Sequence, residues 1–90
     1  MIIVKFNTNF VKSYGKRIKN DKKLKIQFGN RIDLFKNDRL NSILKDHQLK
    51  GGKIKYRSFS INGNIRVIYY FQSTNIAIFV DIGSHNQVYK

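Results

Sequence analysis

The spacing of apolar residues changes character once along this chain, and that change leaves few folds open. From Phe10, the residues Phe10, Val11, Tyr14 and Ile18 recur at steps of three and four, with Lys12, Lys16, Arg17 and Lys19 on the other side. This is the pattern of an amphipathic, basic helix. Asn20-Asp21 breaks it and can cap a second helix, in which Leu24, Phe28, Ile32 and Phe35 again fall at helical spacing. After Ile54 the period becomes two. Ile54, Tyr56, Phe59 and Ile61 mark a strand, Asn62-Gly63-Asn64 a hairpin turn, and Ile65 to Phe71 the return strand. Beyond a turn at Gln72 to Asn75, the unbroken apolar run Ile76 to Val80 reads as a central strand buried on both faces.

Around this frame, Ile2 to Phe6 reads as a first strand, and Asn7-Thr8-Asn9 supplies side-chain oxygens suited to capping the first helix. Lys36 to Gly52 reads as irregular chain around a short turn at Leu40 to Leu44, with His47 in this connection. Gly83-Ser84 bends the chain before Asn86 to Tyr89, expected as a final short strand or extended tail. The expected fold is α+β: an N-terminal strand, a two-helix hairpin, then an antiparallel sheet of three to four strands with the helices on one face. Residues 1–90 are expected to form one domain.

Charge narrows the function. Eighteen Lys and Arg stand against five acids, none of them Glu, for a net charge of +13. That exceeds the magnitude of about 2 to 8 usual for a soluble small domain, so a polyanion or an acidic protein is the expected partner. With 41% apolar residues spread along the whole chain, this is no disordered basic tail. The absence of cysteine excludes disulfides, thiolate zinc sites and thiol nucleophiles, and two histidines are too few for most metal sites. No cofactor is implied. Lys5 interrupts the N-terminal apolar run, and no stretch approaches the ~20 apolar residues of a membrane span, so a cytoplasmic location is expected by default.

The stretches Asp46-His47-Gln48-Leu49-Lys50-Gly51, Tyr56-Arg57, Ile65-Arg66-Val67-Ile68-Tyr69-Tyr70 and Ile82-Gly83-Ser84-His85 occur in that order. They correspond to the signatures DHxLxG, YR, RVIYY and IGTH, and with the order of elements they resemble the RelE/ParE superfamily of bacterial toxins, within it the YafQ-like mRNA interferases. The resemblance implies a RelE-like fold and a ribosome-dependent endoribonuclease that inhibits translation, held silent in a hetero-oligomer by an acidic antitoxin. It also implies functional roles for His47, His85 and Tyr89, the last in place of the more familiar Phe. Where the family's usual pattern has a further histidine and an acid, this chain has Ser60 and Asn64. An uncharged Asn64 cannot take a proton. Arg66 looks more like the wider RelE group, whose sites lean on cations and a tyrosine.

Metal-independent RNA cleavage needs a base on the ribose 2′-hydroxyl, an acid on the departing 5′-oxygen, and positive charge at the phosphate. Histidine suits both proton tasks. His85 is the first candidate and His47 its complement, with Tyr89 stacking on a base or lending its hydroxyl. Arg66 and Arg57 suit phosphate oxygens because a guanidinium binds them in two-pronged fashion, and Lys53 and Lys55 assist as point charges. Asn64 completes the expected RNA-binding set. The plain alternatives are solvated or hydrogen-bonded histidines and arginines on a solvated strand face. The lysines from Lys12 to Lys25 read as a solvated face or a general surface for RNA and antitoxin. Two other functions stay open: a ParE-like toxin that binds DNA gyrase, and a nucleic-acid-binding module with little catalysis, which Ser60 and Asn64 favour.

Overall fold

A computed structural model describes residues 1–89. Strand β1 (Ile3–Phe6) leads into helices α1 (Thr8–Arg17) and α2 (Lys22–Asn37). A short 3₁₀ turn at Ser42–Leu44 precedes β2 (His47–Gln48), and a second at Gly51–Lys53 precedes β3 (Arg57–Ser60). Strands β4 (Ile65–Ser73) and β5 (Ile76–Ser84) follow, and α3 (His85–Val88) ends the described chain. The helices start where the sequence offers acceptors: Asn7 Oδ1 accepts from Phe10 N at 2.8 Å, and Asp21 Oδ1 from Leu24 N at 3.1 Å.

The five strands lie in the order β1-β5-β4-β3-β2. β1 runs parallel to β5, and the other neighbours are antiparallel. The hairpin between β3 and β4 turns at Asn62, whose Oδ1 accepts from the backbone of both Asn64 and Ile65 at 2.8 Å. Both helices cover one face of the sheet. Phe10 of α1, Ile18 at its C-cap and Phe35 of α2 are buried against Phe59, Val67, Tyr69, Ala77, Phe79 and Ile82. Phe35 is the hub, its ring 4.6 Å from Phe59, 4.9 Å from Tyr69 and 5.4 Å from Phe79. Aromatic edge-to-face and stacked packing of this kind compensates for the modest core of a small domain.

Three details depart from the sequence reading. The segment holding His47 is a two-residue strand at the sheet edge, too short for its periodicity to be read. The stretch after Ser84 is a single helical turn, not a strand or extended tail. The apolar run in β5 is covered on one face only: Ala77 and Phe79 are buried, while Ile76, Ile78 and Val80 are half-buried on the other face.

Candidate active site

A two-residue strand cannot hold its place through backbone pairing alone, and here a buried carboxylate anchors it. The Asp46 side chain, only 1% exposed, accepts from Arg57 Nε at 2.8 Å, from Arg39 Nη1 at 3.1 Å and from the Tyr69 hydroxyl in a short hydrogen bond. Three donors satisfy a charge that would otherwise be costly to bury. Burial, then the hydrogen bond and charge of Asp46, push the Tyr69 phenol far above its usual value. Desolvation works against the Arg57 charge, yet the hydrogen bond and charge of Asp46 outweigh it and raise that pKa.

This anchor sets the register of β2, in which His47 lies opposite Ser58 and Gln48 opposite Arg57. Side chains alternate across a sheet, so Arg57, Phe59 and Tyr69 face the helices while His47, Ser58, Arg66 and Ile68 share the open face. His47 is exposed, and its Nδ1 lies 2.9 Å from the carbonyl of Lys45. Lys45 ends the 3₁₀ turn in the left-handed region at φ 52°, which turns that carbonyl toward the ring. A carbonyl only accepts, so Nδ1 is the donor in this contact and Nε2 is the ring nitrogen left unengaged by it.

His85 is positioned by β5, an inner strand of the sheet. A bulge at Val80 of β5, opposite Ile68 and Tyr69, shifts the register so that Val67 pairs with Ile82 and Tyr69 with Phe79. Both Phe79 and Ile82 thereby reach the core although an odd number of steps separates them. Ser84 then begins α3 in a capping box, its backbone N–H donating to Gln87 Oε1 at 2.7 Å. Gly83 makes room for this: a Cβ there would meet Gln87 Oε1 at 2.6 Å and Arg17 Nη1 at 2.8 Å. One helical turn onward, the Tyr89 ring lies 4.5 Å from that of exposed His85. The Tyr89 hydroxyl donates to Ser58 Oγ at 2.6 Å, tying α3 to β3, and Ser58 is itself 1% exposed. The Arg66 guanidinium stands over the Tyr89 ring at 5.8 Å, and its Nε is buried with no hydrogen-bond partner.

His47, Arg66, His85 and Tyr89 therefore line one hollow of about 250 Å³, with Gln48, Leu49 and Lys50 completing its wall. Lys53 and Lys55 line an adjoining hollow on the same open face. Two expected RNA-binding residues are placed elsewhere. Arg57 turns to the helix side and bonds Asp46, and Asn64 occupies the tip of the β3–β4 hairpin, outside the hollow. Ser60 lies opposite Arg66 in the ladder, and its carbonyl accepts from Arg31 at 3.1 Å. The sequence reading did not single out Ser58 as a partner of Tyr89 or Asp46 as the anchor. Neither role has a local signal, because each depends on a partner at least eleven residues away in the chain. Among the described residues, no group of three or more His, Cys, Asp or Glu side chains is placed to hold a metal ion.

Comparison with known proteins bears on the fold and on the family. No curated protein matches significantly. Among solved structures, a copper-bound mutant toxin from Helicobacter pylori is 23% identical, with a TM-score of 0.76 over 98% of this chain and 99% of that one. The DinJ–YafQ complex of E. coli is 20% identical, with a TM-score of 0.74 over the full length of both chains. The YoeB–YefM complex of Staphylococcus aureus is 21% identical, with a TM-score of 0.74 over 94% of this chain and 98% of that one. At such identity these neighbours establish the fold alone. The family model described as the bacterial toxin of type II toxin–antitoxin systems, YafQ, matches residues 2–90, and the chain belongs to that toxin family.

Proposed function

We propose that this toxin is a ribosome-dependent mRNA endoribonuclease that cleaves by a route needing no metal ion. The observation that carries the reading is the convergence of two histidines, an arginine and a tyrosine on one hollow of an open, cationic sheet face. His47, with Nδ1 engaged by Lys45 and Nε2 free, takes the proton of a ribose 2′-hydroxyl. The 2′-oxygen attacks the adjacent phosphorus, the bond from phosphorus to the 5′-oxygen breaks, and protonated His85 supplies that oxygen with a proton. The products are a 2′,3′-cyclic phosphate and a free 5′-hydroxyl. Arg66, which lines the hollow, meets the charge that builds on the phosphate with its guanidinium. Tyr89, fixed by Ser58, holds His85 and Arg66 in line between them.

The expected partner that silences the toxin is an acidic antitoxin. Supporting this are the net charge of +13 and an exposed apolar groove on the helix side, about 310 Å³, lined by Phe6, Phe10, Val11, Tyr14 and Phe28. Mapping cut ends on translated messages, with and without ribosomes, tests the activity. Cuts are expected only with ribosomes, and His85→Gln should reduce them by about 100- to 10,000-fold while the domain stays folded. Intact messages together with blocked supercoiling would identify a gyrase toxin instead, and an undiminished cut rate in the variant would remove His85 from the chemistry.

A further inference from the structure

The hollow adjoining the histidines, about 350 Å³, is larger than theirs and is not used by the cleavage steps. Leu49 lines both, and the consecutive residues Val88 and Tyr89 line one each, so the two are continuous along the open face. One wall is aromatic. Tyr56 and Tyr70 stand edge to face, centroids 5.8 Å apart at 87°, and both are only partly buried. The Lys55 ammonium lies in the corner they form, 5.1 Å from one ring centroid and 5.0 Å from the other. Lys53, Asn7, Asn9 and Asp81 also line the hollow; Asn7 accepts from Phe10 N, Asn9 donates to the Val80 carbonyl, and Asp81 accepts from Arg17.

An aromatic wall with cations beside it suits one ligand class in particular. From this arrangement we infer that the second hollow is a nucleobase subsite: an unpaired base of the transcript, next to the cleaved phosphate, stacks on the Tyr56–Tyr70 wall. The inference rests on the endoribonuclease reading for the identity of the strand. Single-stranded nucleic acid binds through successive bases on aromatic rings with cations along the backbone, and RNA offers such bases wherever it is unpaired. An exposed cation–π contact is weaker than a base stack, so Lys55 yields the ring face and moves to the phosphate of the same nucleotide. Ile68 and Val80 form an apolar floor that favours a flat ring over a hydrated ion. The two hollows together thus hold a reacting phosphate and a flanking base, which links cleavage to sequence context.

The test uses the full chain carrying His85→Gln, to keep the RNA whole, and short single-stranded ribo-oligonucleotides with an abasic site moved through each position around the cut. Loss of the base at one position should weaken binding roughly 5- to 150-fold, the effect of removing one base–aromatic stack. Adding Tyr70→Ala should weaken the intact oligonucleotide by a similar factor and abolish the difference between intact and abasic RNA. Tyr70→Phe, which keeps the ring, should restore that difference. Equal binding of intact and abasic RNA at every position, or no binding of either, overturns the subsite, as does an unchanged ratio in Tyr70→Ala. The two readings fail separately. Translated messages cut on ribosomes by the parent chain, with no abasic penalty in the oligonucleotides, reject the subsite but keep the nuclease, and a clear abasic penalty beside messages that the parent leaves uncut on ribosomes does the reverse.

Discussion

In the proposed cleavage, Arg66 is the residue on which the phosphate chemistry depends most directly. Its guanidinium packs over Tyr89 and lines the hollow. A guanidinium so placed meets phosphate oxygens with paired N–H groups. Arg66→Ala should therefore weaken RNA binding and lower the slope of log affinity against log salt by about 0.7 to 0.9, the value for one phosphate contact. An unchanged slope, measured by anisotropy across a salt series, would leave Arg66 with a packing role only. Arg57 illustrates what residue type alone does not disclose. Its pairing with Tyr56 in a motif and its charge suggest RNA, yet strand alternation points it at Asp46, on the opposite side of the sheet from the hollow.

At the scale of elements, the site stands on two short pieces that carry little stability of their own. β2 is held through Asp46, and Tyr69 supplies one of its three donors. Tyr69→Phe should cost about 1.5 to 3 kcal/mol near neutral pH, the worth of a hydrogen bond to a charged group, in urea unfolding. The folded phenol keeps its proton above the ordinary value of 10.0, so above that pH the folded state binds more protons than the unfolded chain. Stability from this group is complete below about pH 10 and declines as pH rises further, and the gap between parent and Tyr69→Phe should narrow there. A gap constant through that range would mean that the hydroxyl is not bonded to the carboxylate. α3 depends on Gly83 in a similar way. Gly83→Ala should displace Gln87 from Ser84 and shift His85, so that cleavage falls while the unfolding midpoint changes little. Equal activity in the variant would show that the capping box does not position His85. The long helices and the β3–β4 hairpin were legible in the sequence because Asn7, Asp21 and Asn62 act on backbone groups two or three residues away. β2 and α3 were not, since two and four residues hold barely one period each, too little to show a repeat, and the contacts that fix them to the sheet, Asp46 with Tyr69 and Tyr89 with Ser58, come from distant chain.

Across the whole molecule, the sheet separates two surfaces with different tasks. The unbroken apolar run of β5 suggested cover on both sides, but a run of five apolar residues has no alternation to mark an open face, and the half-buried Ile78 and Val80 belong to one. In the proposed reading, that openness leaves the cationic face to a nucleic acid. The helix side instead exposes apolar residues, with Phe6 at 49% and Val11 at 58% exposure beside the groove that Phe10, Tyr14 and Phe28 complete. A groove of this kind, flanked in sequence by Lys5, Lys12 and Lys16, suits an apolar side chain of an acidic protein, with the lysines meeting its carboxylates. Val11→Asp puts a carboxylate where such a side chain would dock. Because Val11 is largely exposed, the fold should tolerate it, and cleavage on the opposite face should persist. Losing the burial of one valine, about 1.5 to 3 kcal/mol, should weaken antitoxin binding roughly 10- to 150-fold, read by titration of the purified partners. Higher salt would reproduce part of that weakening in the parent by screening the lysines, but it would leave the ratio between parent and variant largely intact, because the lost contact is apolar. Unaltered affinity in Val11→Asp would move the partner off the helix side and onto the cationic face itself.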